Sequence, residues 1–583
     1  MTVKEDAVAL RVCTATVYGM IKRVEFEYAY ASNAIRVAVC RKIVTFWSSL
    51  GPISIVGGLV AELQSNSVKS HELFFALVGP VGTESRTIRD ILAKELAALD
   101  YETVTVRMSK LLEELSALDL AIPQLPDSPE DQRITSRMKA GDAFRKKVKS
   151  GAGLAYLAIV YLRQVRRELK DRPKRAFIFD SLKRPEELIA LRRMYGDALI
   201  CISMFAPRDV RIRNLAQRIG RTKDCSTEEC QRNAEDLVNE DQRGGDKDFG
   251  QNVADTFPMA DAFVRQDTQD AMQAQVARLV ELIFGNPFRT PSRDEIGMFH
   301  ARAAALRSAD LSRQVGAVLA TSDGSILAAG CNEVPRGGGG TYWEGDKPDD
   351  RDFKRGRDPN VEEKLVALAE MFKNLSNSGW LASEVALKTS EELAVLATQK
   401  NGALDGTRVD SLIEFGRVVH AEMNALMDAA LRGVAVKGSN LYCTTFPCHN
   451  CARHILAAGV RRVVYIEPYP KSLAVKLYEP TIKVDEQSDS SMSELVFESF
   501  VGVAPRRFIP LFELAHTKRK DSKGFVRPWQ RETALPRFGQ LFADHESREQ
   551  LFVIELEEAL QKVGVKVSLE SNGADSKEDR PRT

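Results

Sequence analysis

The stretch VVHAEMNALMDAALRG, followed by NLYCTTFPCHNCARHILAAGVRRVVYIEP, leaves few architectures open. A helix pattern opens at His420, the strand NLYCTTF runs into Pro447, a second helix begins at Cys448, and the strand RRVVYIE follows. One imidazole and two thiolates, from His420, Cys448 and Cys451, fit three protein ligands on a tetrahedral Zn²⁺ whose fourth position stays open for water. Cys448 and Cys451 lie three apart, so at a helix start both sulfurs project from one face. The positive end of the helix helps keep them as thiolates. Zinc lowers the pKa of its water to roughly 7, and Glu422, two residues from His420, can shuttle a proton without binding the metal. The competing reading is a structural zinc knuckle, or two buried cysteines beside an unrelated histidine. The flanking strands and Glu422 weigh against it.

A chain of 583 residues holds more than one domain, since domains typically run ~100–200 residues. Its 82 basic and 81 acidic side chains nearly cancel, which removes the simplest electrostatic case for a dedicated nucleic-acid binder. The nine cysteines are odd in number and three of them cluster between Cys443 and Cys451. With no evident cleavable signal, that points to a reducing, cytoplasmic compartment and metal-bound thiols rather than a disulfide scaffold. Cys225 and Cys230, in KDCSTEECQR, have no histidine nearby to complete a second metal site and read as free thiols. IVTFWSSLGPISIVGGLVA, Ile43 to Ala61, lacks charges and approaches spanning length. Its serines, proline and glycines make it a buried or poorly ordered extension rather than a membrane segment, and residues 1–67 stay unassigned.

Short apolar runs alternate with helix-like stretches over residues 68–285: LFFALVG, TVTVRM, RAFIFDSL and ALICISMFA read as strands, and TIRDILAKELAAL as an amphipathic helix. GNPFRTPSRDE is the linker. A second α/β region covers residues 290–535, with a helix through MFHARAAALRSA, strands VGAVLAT and ILAAGCN, and an insertion at about 341–415. Residues 536–583 carry a C-terminal helix and a polar, disordered tail.

The first region contains a near-miss. In FFALVGPVGTESRTIRDIL a strand runs into glycines and then a helix, as in G-x-x-x-x-G-K-[ST], but Glu84 stands at the second glycine and Ser85 at the lysine. Gly79, Gly82 and Thr87 are kept. Glycines let backbone N–H groups surround a phosphate and the lysine neutralises its charge. Without that lysine, phosphoryl transfer is doubtful while altered nucleotide binding stays open.

The H-x-E…P-C-x-x-C arrangement is the signature of zinc nucleobase deaminases. With LRSADLSRQVGAVLATSDGSILAAGCNEVPRG it resembles the deoxycytidylate branch of the cytidine/deoxycytidylate deaminase superfamily. That resemblance implies Zn²⁺ on His420, Cys448 and Cys451, Glu422 as the catalytic proton carrier, attack on C4 of cytosine with loss of ammonia, and Asn332 against the deoxyribose or base. His449 and His454 neighbour the ligands without joining them. The first region resembles P-loop nucleotide kinases through IFDSLKRPEELIALRRMYGDALICISMFAPRDVRIRNL. Asp180 would be its Mg²⁺-side acid and Arg208, Arg211 and Arg213 its lid arginines, or else arginines on a solvated helix face.

Together, from His71 to Trp529, the chain resembles the bacterial anti-phage dCTP deaminases. The implied fold class is α/β: a P-loop kinase-like parallel-sheet domain followed by an α/β/α cytidine-deaminase-like domain. Implied partners are free deoxycytidine nucleotides (dCTP and dCMP), a regulatory nucleotide at the first domain, a small RNA or phage-derived trigger, and further copies of the chain in a homo-oligomer. Arg506 and Arg507 in APRRF either contact phosphates or serve at a buried edge or surface. Two rivals remain: a nucleotide kinase with a structural zinc, which the missing lysine disfavours, and a nucleic-acid-editing deaminase. The second would need a basic groove with aromatic stacking platforms, and HTKRKDSKG is too short for one.

Overall fold

Between Leu73 and Val78 the first expected strand carries no polar side chain, and it becomes an inner strand of a six-stranded sheet. Such a continuous run suits a strand covered on both faces. The structure, a computed structural model, describes residues 71–116, 125–169, 174–243, 248–410, 412–469, 471–485, 494–514, 518–538 and 542–562. The charge-free segment Ile43–Ala61 and the polar tail from Ser568 lie outside these residues. Among the described residues no helix is long and apolar enough to cross a membrane.

The first sheet is built from β1 (His71–Val78), β2 (Glu102–Arg107), β3 (Lys174–Leu182), β4 (Leu199–Phe205) and β5 (Ala262–Arg265), joined by parallel pairings. Parallel neighbours require crossovers. These use the helices α1 (Ser85–Ala97), α2 (Met108–Ser116), α3 (Glu130–Lys147), α4 (Gly153–Glu168), α5 (Pro185–Tyr195), α6 (Arg208–Gly220) and α7 (Thr227–Arg243), with α8 (Gln269–Ile283) after β5. Side chains alternate across a strand. Phe74, Ala76 and Val78 therefore pack with Leu154, Ala158 and Leu191 on one face, and Leu73, Phe75 and Leu77 with Ile88, Leu92 and Val276 on the other.

The second region begins at α9 (Arg293–Ala305), which Ser292 and Glu295 start with a reciprocal capping box. The strands β6 (Gly316–Ala320) and β7 (Ile326–Cys331) follow, then the insertion helices α10 (Pro359–Asn377) and α11 (Ser390–Thr398). Next come α12 (Ala421–Leu431), β8 (Asn440–Thr445), α13 (His449–Ala457), β9 (Arg462–Glu467), β10 (Ile482–Val484) and β11 (Leu495–Ser499). The sheet order is β10-β11-β9-β8-β6-β7, with β6 antiparallel to both neighbours and β8 to β10 mutually parallel.

The chain then returns to the first sheet. β12 (Gly502–Val503) pairs antiparallel with β5 and completes the order β12-β5-β4-β1-β3-β2. α14 (Pro505–Phe512) follows, and Arg507, almost fully buried, binds Asp261 Oδ1 at 3.1 Å and the Leu199 carbonyl at 2.8 Å. Arg506 also pairs with Asp261, at 3.0 Å. Both arginines thus help clamp edge segments of the chain together through Asp261. α15 (Phe542–Lys562) lies against α4, where Arg166 bridges Glu72 and Glu549. The expected linker ends in the same weave, because Glu295 also accepts from Val503 N and from Arg278.

One cysteine assignment is corrected. Cys225 and Cys230 are joined in a disulfide, not free. Cys225 precedes α7 and Cys230 lies in its first turn, which leaves their Cα atoms 5.9 Å apart. That separation is within the ~4.4–6.8 Å a disulfide needs, a proximity that sequence spacing alone does not reveal.

Candidate metal-dependent active site

Two glycines set the frame of the site. Gly330 on β7 lies so close to α12 that a Cβ would come within 2.3 Å of Ala425 N and 2.5 Å of Ala421 O. Gly316 on β6 lies equally close to α9, where a Cβ would meet Ala301 O at 2.0 Å. Only residues without a Cβ allow helix and strand backbones to approach so closely. α12 is thereby pressed onto the sheet with His420 as its N-cap residue and Glu422 in its first turn.

The second helix start supplies the thiols. Cys448 is the N-cap residue of α13 and its Sγ accepts from Cys451 N at 3.4 Å. Both sulfurs lie 3.3 Å from His420 Nδ1, and the three donor atoms all fall within 4.8 Å of one another. Zinc at ~2.0–2.1 Å from nitrogen and ~2.3 Å from sulfur, at a tetrahedral angle, places those ligands about 3.5 Å apart. The residues fit the metal. Among the described residues this is the one group of three such donors.

A hydrogen bond with Cys451, followed by the bond to His420, draws the Cys448 thiol down to about 4, while the bond to Cys448 and burial push Cys451 up. His420 is raised first by its bond to Cys448. Burial pushes the Glu422 carboxyl up, and Cys448 adds to the effect. Cys443 is buried in β8 and raised by burial, as core rather than ligand.

His420, Glu422 and Cys448 line a pocket of about 270 Å³ that also takes in Asn332, Phe446 and Tyr469. Asn332 accepts from Val315 N at 2.7 Å and donates to the Arg313 carbonyl at 2.8 Å, so its amide shapes the loop before β6 while facing the pocket. Sequence reasoning missed the opposite wall. Asp352, Asp358 and Asn360 from the insertion, with Arg417 just beyond it, line the cavity. Arg417 binds Asp350 and Asp352 at 2.8 Å each, and Asn360 clasps Leu412 O and Phe415 N. Arg313, above the Tyr469 ring at 5.4 Å, stands at the same pocket. No local motif marks these residues.

The kinase-like residues do not join this pocket. Asp180 is bound by Arg89 at 2.7 Å, and the Thr87 hydroxyl donates to Glu84 at 3.3 Å. Gly79 and Gly82 lie in the turn between β1 and α1, where Gly82 has φ +89°. Arg208 donates to Asn239 and Arg213 to Asp209 on exposed surface, whereas Arg211 is buried. A larger groove, about 1080 Å³, runs beside α6 and α7, and among the described residues it brings together no group of three metal-binding side chains.

The chain is similar to several known proteins. A dCMP deaminase structure from cyanophage S-TIM5, 20% identical, covers 36% of this chain and 99% of its own, with a TM-score of 0.19. The deoxycytidylate deaminase of Enterobacteria phage T2 is 41% identical over 54 residues, 9% of this chain and 29% of its own length. The Homo sapiens deoxycytidylate deaminase is 31% identical over 93 residues, 16% of this chain and 43% of its own length. The chain thus spans less than half the length of these curated relatives. Residues 291–467 match the cytidine and deoxycytidylate deaminase zinc-binding region. This part of the chain is thus similar to that zinc-binding region, and His420, Cys448 and Cys451 within it could hold a metal ion.

Proposed function

We propose that this protein catalyses zinc-dependent hydrolytic deamination of free deoxycytidine nucleotides, converting dCTP or dCMP to the deoxyuridine form. The observation that carries the reading is the buried carboxyl of Glu422 close to three donors that fit zinc, with Glu422, His420 and Cys448 lining one pocket. His420, Cys448 and Cys451 are the proposed ligands. Bound there, zinc supplies Lewis acidity that makes water nucleophilic near neutral pH.

Glu422 accepts a proton from the attacking water and delivers it to N3 of the base. A further proton reaches the exocyclic nitrogen, which departs as ammonia once oxygen has bonded to C4. Burial raises the affinity of Glu422 for the proton it carries. The cavity, about 270 Å³, lies just under the ~300–1,000 Å³ usual for ligand pockets, so it suits the base and sugar with the phosphates toward the mouth. Asn332, which lines this pocket, is the proposed contact to the deoxyribose or base.

The wider reading follows the resemblance: a cytoplasmic homo-oligomer that depletes the deoxycytidine nucleotide pool during phage infection, under control of the first domain. A substrate panel of dCTP, dCMP, CTP and single-stranded DNA, scored for uracil product and ammonia, tests the chemistry. Turnover of single-stranded DNA without turnover of free nucleotides would overturn it. Plating efficiency of phage on cells carrying wild-type or Glu422→Ala protein tests the defence role, which requires the wild type alone to protect.

A further inference from the structure

The turn from Gly79 to Glu84 joins the end of β1 to the N-terminus of α1, a place where backbone N–H groups and the helix end attract anions. An anion is already there, and it belongs to the chain itself. Val81 N–H donates to Asp241 Oδ2 at 2.7 Å. Asp241 comes from the last turn of α7, 160 residues along the chain, and is fully buried. Its other oxygen accepts from Lys183 Nζ at 2.9 Å, and the same ammonium donates to the Gly79 carbonyl at 3.1 Å. A carboxylate held by a loop N–H with a lysine at its side reproduces the surroundings of a phosphate oxygen in a working nucleotide loop. Lys183, in the segment after β3, restores in space the cation that Ser85 lacks in sequence.

A second cation stands beside this pair. Arg211 of α6 is only 5% exposed, donates Nη1 to the Val81 carbonyl at 3.4 Å, and has no hydrogen-bond partner at Nε among the described residues. Burial lowers its pKa and Asp241 opposes that shift. Lys183 and Arg211 thus both act on the charge of the Asp241 carboxylate, the first by direct contact and the second through space. Gly82 is pressed against Arg211, where a Cβ would come within 2.6 Å of its carbonyl oxygen.

We propose that the Gly79–Glu84 turn is a latent polyphosphate-binding cradle held shut by Asp241, which occupies it as an internal stand-in for a phosphate. Release of one carboxylate at the end of α7 opens it to the polyphosphate group of a nucleotide. The inference is independent of the zinc chemistry.

The test is calorimetric binding of inorganic pyrophosphate to the full chain. Asp241→Ala should bind about tenfold or more tighter than wild type, because two charged donors lose their competitor. Asp241→Asn, which keeps the turn filled, should remain weak, and Lys183→Met added to Asp241→Ala should erase the gain. Equal binding by wild type and a folded Asp241→Ala protein overturns the proposal, as does no binding by either. Should Asp241→Ala fail to fold, competition in the wild type decides. Millimolar pyrophosphate should then raise its Tm, an effect Lys183→Met abolishes, and a flat response counts against the cradle.

Discussion

Glu422 is held almost fully buried in the first turn of α12, beside but not among the proposed zinc donors. A group in that position can act on the reaction without holding the metal. Glu422→Ala should therefore fold and retain zinc while deamination falls by roughly 10²–10⁴-fold, the usual yield of general acid–base catalysis. Uracil formation and metal content measured on one preparation check both halves of the expectation. Cys448→Ala should behave differently, losing bound zinc along with activity. Full zinc occupancy in that variant, by metal analysis, would contradict the ligand set. Both residues were readable without a structure, because two helix starts and a three-residue spacing are local properties of the chain. Asn332 was readable as a pocket residue, but its bonds to Arg313 and Val315 belong to a loop it meets only in the fold.

At the scale of elements, the contact between β7 and α12 governs the site. Gly330→Ala drives a methyl group into Ala425 N and Ala421 O, which backbone cannot relieve by turning a side chain. The expected result is a loss of about 1–3 kcal/mol of stability, as for other overpacked contacts, with reduced zinc content because His420 moves with α12. Denaturant unfolding and metal analysis check this. Gly337→Ala, with nothing within 4 Å, is the matched control and should change neither. The strands and helices flanking these contacts were legible from apolar periodicity. The insertion was legible as a segment at about 341–415, but not as a source of pocket wall, since Asp352 and Arg417 meet through folding rather than through a shared pattern.

Across the whole molecule, buried charges tie the C-terminal helix α15 to the first sheet region. Arg166 on α4 holds Glu72 on β1 and Glu549 on α15, and Glu549 also accepts from Tyr195. Arg166→Met leaves two buried carboxylates without their common partner and should cost about 3–5 kcal/mol. Since β12 pairs with the first sheet and follows directly from the second, urea should unfold the described parts of both regions in one transition, read by tryptophan fluorescence and zinc release together.

His545 on α15 sits beside this network, edge-on to Phe74 and Tyr195, with Arg166 and Arg548 acting on its charge. Burial, then Arg166 and Arg548, bring its pKa from 6.5 down to about 4. The unfolded chain therefore binds a proton there before the folded one does. The neutral histidine's contribution is complete above about pH 6.5 and is lost progressively as pH falls toward 4. His545→Phe should flatten that part of the stability–pH curve, as urea midpoints at pH 7.5, 6 and 5 would register.

The zinc-type site and the strand–helix alternation of both regions were present in the amino-acid order, because they depend on residues a few positions apart and on apolar periods of two and 3.6. Folding settled the rest. It paired Cys225 with Cys230, brought Gly502 and Val503 back to β5, and put Asp241 into the turn at Val81. These contacts join segments whose local patterns carry no sign of each other, and packing around a shared core is what makes them neighbours.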